Sequence, residues 1–398
     1  MTLVRYVPLI VAIILASSVA IYATAIVPPA TTPTHITLRV GYPDSLDESD
    51  VPDIWAYQHI LAPEGITVIP TFYDDPALSY KSLITGQSDI AYAGNTLLFD
   101  GLLLGVQATC LTSYALSSGF SIITNGGISN LHQLIGKWVE DSGPGTGTRA
   151  QILYQLATNG IPYSETGVYN ASAVNFRTGV GNVARVHDLL SNATQGISVD
   201  TFIVSDFSSP SENTTANGGP FHVFPELLIP DCIATTDAWL QKPGNYQIAV
   251  EFIAALTEAA RYFISNPQFA LHYEEQQLPE TSPQEIQFAV NYYPTNYIYF
   301  PWGEFNLVGP LVNETALFHT VNNYLLTTNL ETGAVVNSSV HPYGVWNKYI
   351  ELKALQSLPK YYFPCSLYPG YVTSSFIQFV KESVPPSLGG LDSTCPSS

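Results

Sequence analysis

From residue 36 onward, the hydrophobic positions switch repeatedly between a period of two and a period of three to four. Residues 36–44, ITLRVGYPD, alternate, are rich in β-formers and stop at a Pro-Asp turn, which predicts a strand. Residues 50–65 carry Ile54, Tyr57, Ile60 and Leu61 at helical spacing and stop at Gly65, which predicts a helix. Residues 66–75 read as a second strand, 76–86 as a short helix closed by Gly86, 88–94 as a third strand and 96–105 as a further helix. Strands alternating with helices at this spacing imply a parallel sheet with crossover helices, so an α/β unit begins near Ile36.

Residues 106–116 predict a fourth strand, and 118–127 an extended apolar segment ending in glycines. The alternation then restarts. Residues 137–140 read as a strand, 149–160 as a helix, 172–180 as a strand, 182–190 as a helix and 199–206 as a strand, which makes a second α/β unit. The polar stretch 208–220 predicts an exposed loop. Two more extended runs follow, and then a helix over 246–265 in which Ile248, Phe252, Leu256, Ala260 and Phe263 form one apolar stripe. Another helix is expected at 283–292. Residues 340–398 are rich in Pro, Tyr and Ser, contain one clear amphipathic piece at 374–380, and read as an appendage. No repeat of solenoid length is present.

The first 35 residues differ in kind. Arg5 precedes an uncharged run from Tyr6 to Tyr22, and Ala23-Thr24-Ala25 supplies the small-residue pattern of a signal-peptidase site. Residues 1–25 therefore read as a signal peptide or, because the run approaches the length of a bilayer span, as a membrane anchor. If the anchor persists, residues 26–35, with Pro28, Pro29 and Pro33 among threonines, form an extended stalk. Five sites fit the Asn-x-Ser/Thr glycosylation pattern: Asn170, Asn192, Asn213, Asn313 and Asn337. The four cysteines, Cys110, Cys232, Cys365 and Cys395, are an even number that suits an oxidising compartment and permits three pairings. No Cys-x-x-Cys or His-Glu-x-x-His spacing occurs, which favours disulfides over metal ligands.

Charge narrows the partners. Against 32 acidic residues stand only 13 basic ones, and phosphate binding needs Lys and Arg, so nucleic acid is not an expected partner. Charged residues make up only 11% of the chain, which leaves a surface wetted mainly by neutral polar groups, as suits a protein outside the cell.

Five stretches in order carry a family resemblance: VGYPDS (40–45), EGITVIPTF (64–72), LITGQSDIAYAGN (83–95), ISNLHQLIGKWVEDSGPGTGT (128–148), and the segment 234–270 from ATTDAWL to NPQFA. Together they resemble the extracellular solute-binding proteins of ABC importers, in the class of nitrate, taurine, alkanesulfonate and thiamine-precursor binders. The resemblance implies the type II periplasmic-binding-protein fold: two α/β lobes joined by two crossover strands, with a ligand in the cleft. It places the first segment of lobe one at 36–117, a crossover at 118–127, lobe two at 128–222, a second crossover with the rest of lobe one at 223–339, and the appendage at 340–398. It also implies the pairing Cys110–Cys232 and Cys365–Cys395, because the strand returning from lobe two lies beside the last strand of the first segment.

Ligands of open α/β sheets bind outside the carboxyl ends of the strands. That rule selects Asp44 and Ser45 after the first strand, Asn95 and Thr96 after the third, Ser117 and Ser118 at the crossover, Gly145, Thr146, Gly147 and Thr148 at the start of the lobe-two helix, and Asp206 after the strand at 199–206. The helix start would favour an anion by about 0.3–1 kcal/mol, or up to ~2 when partly buried. The competing reading is an ordinary capped turn. It is not a Walker loop, since no Gly-Lys-Ser/Thr follows, and its glycines do not fit the dinucleotide fingerprint. Tyr42 and Trp55 stand near the first loop and could stack on a ligand ring, although Trp55 better suits the outside of its helix. Asp74-Asp75 and Glu274-Glu275 read as solvated faces, not acid/base couples. The eight histidines are scattered and define no triad.

The resulting expectation is a non-enzymatic surface protein that captures a small anionic or zwitterionic solute by lobe closure and delivers it to an ABC-type permease, with no cofactor, no metal and no catalytic residue. One alternative is a same-fold enzyme of thiamine-pyrimidine or menaquinone biosynthesis, against which export counts. The other is a surface scaffold or adhesion protein that has lost transport. A net charge of −19 would slow anion capture at neutral pH, a conflict relieved by a neutral or zwitterionic ligand or by an acidic medium.

Overall fold

The structure is a computed structural model that describes residues 35–43, 46–73, 76–93, 97–98, 101, 105–115, 120–124, 130–141, 143, 147–178, 201–205, 220–221, 231–292, 302, 347–370 and 372–396. The apolar N-terminal segment read as signal or anchor, the helix expected at 182–190 and the loop at 208–219 lie outside these residues. Among the described residues, no helix is long and apolar enough to cross a membrane.

In the first unit β1 (Ile36–Tyr42), α1 (Val51–Ala56), β2 (Ile66–Phe72), α2 (Pro76–Ile84), β3 (Ile90–Ala93) and β4 (Ala108–Ala115) follow in the predicted order, and the helix expected at 96–105 falls mostly outside the described residues. Helix α1 continues into a π-helical turn at Tyr57–Leu61, closed by the Ala62 amide donating to the Tyr57 carbonyl at 3.1 Å. Strands β1, β2 and β3 are mutually parallel, with Ile36 opposite Ile66 and Val40 opposite Ile90. Helix α2 lies close on β1 because its contact residues are small. A Cβ on Gly41 would come within 3.0 Å of the Ser82 and Ser88 hydroxyls, so glycine and two serines set the approach distance.

The chain then builds a second sheet from β5 (Phe120–Thr124), β6 (Trp138–Asp141), β7 (Tyr163–Ser164), β8 (Val174–Thr178), β9 (Thr201–Ser205) and β10 (Pro220–Phe221), with α3 (Gly147–Thr158) between β6 and β7. Its order is β10-β5-β9-β6-β8-β7. The last four strands of that order are parallel, and β5 runs antiparallel to β9, with Phe120 opposite Ser205. A single 3-10 turn, Leu131–Leu134, precedes β6.

Strand β11 (Asp231–Thr236) returns to the first sheet and inserts between β3 and β4, antiparallel to both, giving the order β2-β1-β3-β11-β4. The Cys110–Cys232 disulfide joins β4 to β11, the pairing that the family resemblance implies. A short helix α4 (Asp237–Leu240), capped by the Thr236 hydroxyl, leads into the long α5 (Asn245–Ser265). All five residues of the predicted stripe in α5 are buried, and Phe252 meets Leu38, Val40 and Tyr57 in the main core. Two helices follow, α6 (Pro267–Gln277) and α7 (Pro283–Tyr292).

The segment read as an appendage is in part built into this core. Helix α8 (Lys348–Ser357) packs against α5 and β4, and its Ile350 and Ala354 belong to the same buried cluster as Leu38 and Val40. Glu351 accepts a hydrogen bond from the Thr112 hydroxyl of β4 at 2.8 Å. Beyond α8, β12 (Tyr361–Phe363) and β13 (Gly389–Leu391) pair in parallel around α9 (Ser374–Ser383), and the Cys365–Cys395 disulfide closes this piece as the resemblance implies. Its core of Phe363, Tyr368, Phe376 and Val380 also takes in Ile264 of α5.

Candidate functional site

Strand direction decides where the sequence-selected residues can act. In the first sheet, β1, β3 and β4 all run one way, so Tyr42, Ala93 and Ala115 close the same end, and β11 starts there, with Asp231 opposite Ala115 and Cys232 opposite Ala93. In the second sheet, Asp141 of β6, Thr178 of β8 and Ser205 of β9 close one end, and antiparallel β5 begins there at Phe120. The connection from Ala115 to Phe120 has four intervening residues, so it spans at most roughly 18 Å however it runs. Covalent reach alone therefore keeps the two sheet ends near each other.

Asp44, Ser45, Asn95, Thr96, Ser117, Ser118, Gly145, Thr146 and Asp206 themselves lie outside the described residues. Asp206 directly follows β9, and each of the others lies within five residues of one of these strand ends in the chain. Gly147 and Thr148 are the first two residues of α3. Asp74 and Asp75 also lie outside, as do the sequons at Asn192, Asn213, Asn313 and Asn337, whereas Asn170 is described and exposed.

The turn between β6 and α3 is held from below by a buried ion pair that the sequence did not reveal. Arg149, in the first turn of α3, reaches back to the last residue of β6. Its Nε donates to Asp141 Oδ2 at 2.5 Å and its Nη2 to Asp141 Oδ1 at 2.9 Å, a bidentate geometry, while Nη1 donates to Glu165 at 2.8 Å. Both Asp141 and Arg149 are buried, and the guanidinium also lies 4.4 Å from the centre of the Phe176 ring. Burial would lower the Arg149 pKa, but the charges and hydrogen bonds of Asp141 and Glu165 outweigh it and hold the pKa above its ordinary value. Asp141 Oδ1 also accepts from the Gly143 amide at 2.7 Å. Gly143 has φ +98°, and a Cβ there would meet Thr178 at 2.9 Å, so only glycine fits. One carboxylate thus fixes both the exit of β6 and the entry of α3.

Beneath the first loop lies a second buried polar cluster. Asp53 of α1 accepts from the Tyr42 hydroxyl at 3.3 Å and from the Tyr92 hydroxyl, and Tyr42 shares a further hydrogen bond with Tyr57. Burial pushes the Asp53 carboxyl up to about 7, against the opposing pull of the two tyrosine hydrogen bonds. All three tyrosines are pushed well above their ordinary pKa, first by burial. The reading of Tyr42 as a ligand-stacking ring is corrected here. It is fully buried, stacked between Phe72 at 4.8 Å and Tyr92 at 4.4 Å. Trp55 stacks on Tyr262 with ring centres 4.7 Å apart, which agrees with its alternative reading as a cover for the outside of its helix.

Glu274 corrects another expectation. The adjacent acids Glu274-Glu275 predict a solvated face, yet α6 turns Glu274 inward, where it is buried beside Leu278 and Ala270. Burial raises its pKa well above the ordinary carboxylate value, with Glu48 and Asp47 adding to the rise. Asp47 is pushed up to about 6 by burial and then by Glu48. Among the described residues, three potential metal-ligating side chains come together only at Cys365, Asp392 and Cys395, where both sulfurs are already spent in the disulfide.

No protein-family model and no curated protein sequence matches the chain. Solved structures do. The periplasmic nitrate-binding protein of Synechocystis PCC 6803 superposes with a TM-score of 0.60 at 15% identity, covering 85% of this chain and 92% of its own. A Candida albicans gene product with the generic periplasmic-binding-protein fold gives 0.58 at 16% identity, over 81% and 95%. A protein of Methylobacillus flagellatus KT, described as the sulfonate-binding component of an ABC transporter, gives 0.51 at 13% identity, over 81% and 95%. Together with the double passage between two α/β sheets, these likenesses establish that the chain has the fold of the periplasmic binding proteins.

Proposed function

We propose that the protein is an exported solute-binding protein. It captures a small organic solute between its two α/β units and hands it to an ABC-type permease. The observation that carries this reading is directional. The strand ends bearing Asp44, Ser45, Asn95, Thr96, Ser117 and Ser118 on the first sheet, and Gly145, Thr146, Gly147, Thr148 and Asp206 on the second, are the ends tied together by the chain crossings. These residues are neutral except for Asp44 and Asp206, so the site would hold a polar solute through hydroxyls, amides and backbone groups. The braced turn before α3 would present its amides to an anionic or zwitterionic end. Binding by lobe closure needs no catalytic residue, and none is assigned. The likeness in fold to a nitrate-binding and a sulfonate-binding protein supports a small polar solute as the class of ligand.

The lobe boundaries follow the same reading: 36–117 with 223–339 for the first lobe, and 128–222 for the second, joined through 118–127 and the segment before β11. The N-terminal 25 residues would direct export or anchor the protein to the membrane. Native mass spectrometry of protein purified gently from its own source tests the function. A retained small molecule, or a thermal shift with one of sulfonates, nitrate, pyrimidines or peptides, is expected. Neither a retained molecule nor any shift would sink the transport reading in favour of a surface scaffold.

A further inference from the structure

We infer that Asn170 is an N-linked glycosylation site, its side-chain amide presented to a lipid-linked sugar donor by a turn that the fold holds in place. The inference rests on the export proposed above. The sequon Asn170-Ala171-Ser172 sits in the connection between β7 and β8, and all three residues are exposed. The Asn170 side-chain oxygen accepts from the Ser172 backbone amide at 2.9 Å, which folds the sequon back on itself as an Asx turn.

Support comes from below. Asn175 of β8 is fully buried, and its Oδ1 accepts from the Asn170 backbone amide at 2.6 Å. Its Nδ2 faces the carbonyls of Asn170 and Ala173 at 3.0 Å each, and that of Lys137 at 3.3 Å. The backbone of the turn is therefore satisfied from inside the fold, and Asn170 Oδ1 is engaged with Ser172. Among the described residues no group accepts a hydrogen bond from Asn170 Nδ2, the atom that glycosylation uses.

In the transfer, Asn170 Nδ2 forms a bond to the anomeric carbon of a polyprenyl-phosphate- or pyrophosphate-linked saccharide. The bond from that carbon to the phosphate oxygen breaks, the phosphate leaves with the electron pair, and the amide proton passes to a base of the transferring enzyme. The result also gives a purpose to an otherwise costly surface. Val168 and Tyr169, just ahead of the sequon, are 70% and 56% exposed, and the first sugar would shield them from water.

The test is a peptide map of protein from its own source. Cleavage after Arg149 and Arg177 releases residues 150–177 with no internal Lys or Arg. That peptide should carry a saccharide mass on Asn170. Expressed in the same cells, Ser172→Ala should lose the mass and Ser172→Thr should keep it. Recovery of unmodified 150–177 from protein whose Cys110–Cys232 and Cys365–Cys395 bridges are intact would overturn the inference while leaving export standing, because the bridges report an oxidising compartment independently. Absence of both bridges and sugar would remove export and the inference together.

Discussion

Replacing Asp53 by Asn should flatten the dependence of stability on pH. In the folded chain the Asp53 carboxyl titrates at about 7, against an ordinary value of 3.8. Between those values the folded protein holds a proton that the unfolded chain has released, so stability falls as pH rises. The contribution is fully present below 3.8 and is lost as pH rises through about 7. At about 1.4 kcal/mol per pH unit, the difference amounts to roughly 4 kcal/mol. The groups acting on Asp53 are Tyr42 on β1, Tyr92 on β3 and Asp47 on the loop before α1, none of them a cation that could stabilise the charged form. Tyr57 stands behind Tyr42 and feels the Asp53 charge.

Asparagine keeps an oxygen that can accept from Tyr42 and Tyr92 but cannot ionise. Denaturant midpoints of wild type and Asp53→Asn should therefore lie close together near pH 4, draw apart as pH rises to about 7 and stay apart above it, with the variant the more stable there by up to about 4 kcal/mol. Asp47, pushed up to about 6, adds a smaller fall of the same sign in both proteins, between 3.8 and about 6. Parallel profiles from pH 4 to 8 would refute the assignment of Asp53 as the buried acid. Protonation of carboxylates also relieves the self-repulsion of a chain of net charge −19, which has the same sign in both proteins.

Three further outcomes follow from the geometry. Arg149→Met should cost about 3–5 kcal/mol in denaturant unfolding, because it strands Asp141 as a buried charge without its partner, and Arg149→Lys should recover only part of it, since an ammonium cannot reproduce the bidentate fork. The double change Cys110→Ala and Cys232→Ala opens a loop of 122 residues and should lower stability by about 3–5 kcal/mol, with reductant then having a smaller effect on the variant than on wild type. Ile350→Ala should cost about 2–5 kcal/mol, measured as a lower denaturation midpoint of the main transition; a change under 0.5 kcal/mol would mean that α8 does not belong to the first unit's core.

The strand–helix alternation of the first unit was legible because each element there has a one-sided apolar pattern and a glycine or proline stop. The same was true of the stripe in α5. Burial that depends on distant chain was not legible. Asp53 stands in a helix whose apolar positions at 54, 57 and 61 suggest an outward-facing acid, and Tyr42, 11 residues earlier, with Tyr92, 39 residues later, turns it into a buried acceptor. Glu274 was lost the same way, since paired acids look solvated until tertiary packing covers one of them. In α8 the residues Tyr349, Ile350, Leu352, Ala354 and Leu355 are spread around the helix and interleaved with Glu351, Lys353 and Gln356, so no one-sided stripe separates it from a loop. Arg149 did leave a trace, an acid eight residues upstream across a glycine turn, but spacing across a turn carries no information without the turn's geometry. The places after the strands were legible because the strands themselves were, whereas the candidate ligand residues there, apart from Gly147 and Thr148, lie outside the described residues.

Strand β11 has a consequence for the order of synthesis. The slot between β3 and β4 stays empty until residues 231–236 leave the ribosome, after the entire second unit has been made. Until then both neighbouring strands present unpaired backbone edges. The first unit is thus begun first and completed after its insert. A nascent chain stalled between residues 116 and 230 would hold an open, adhesive sheet edge, so chains terminated in that window should aggregate more readily than the finished protein.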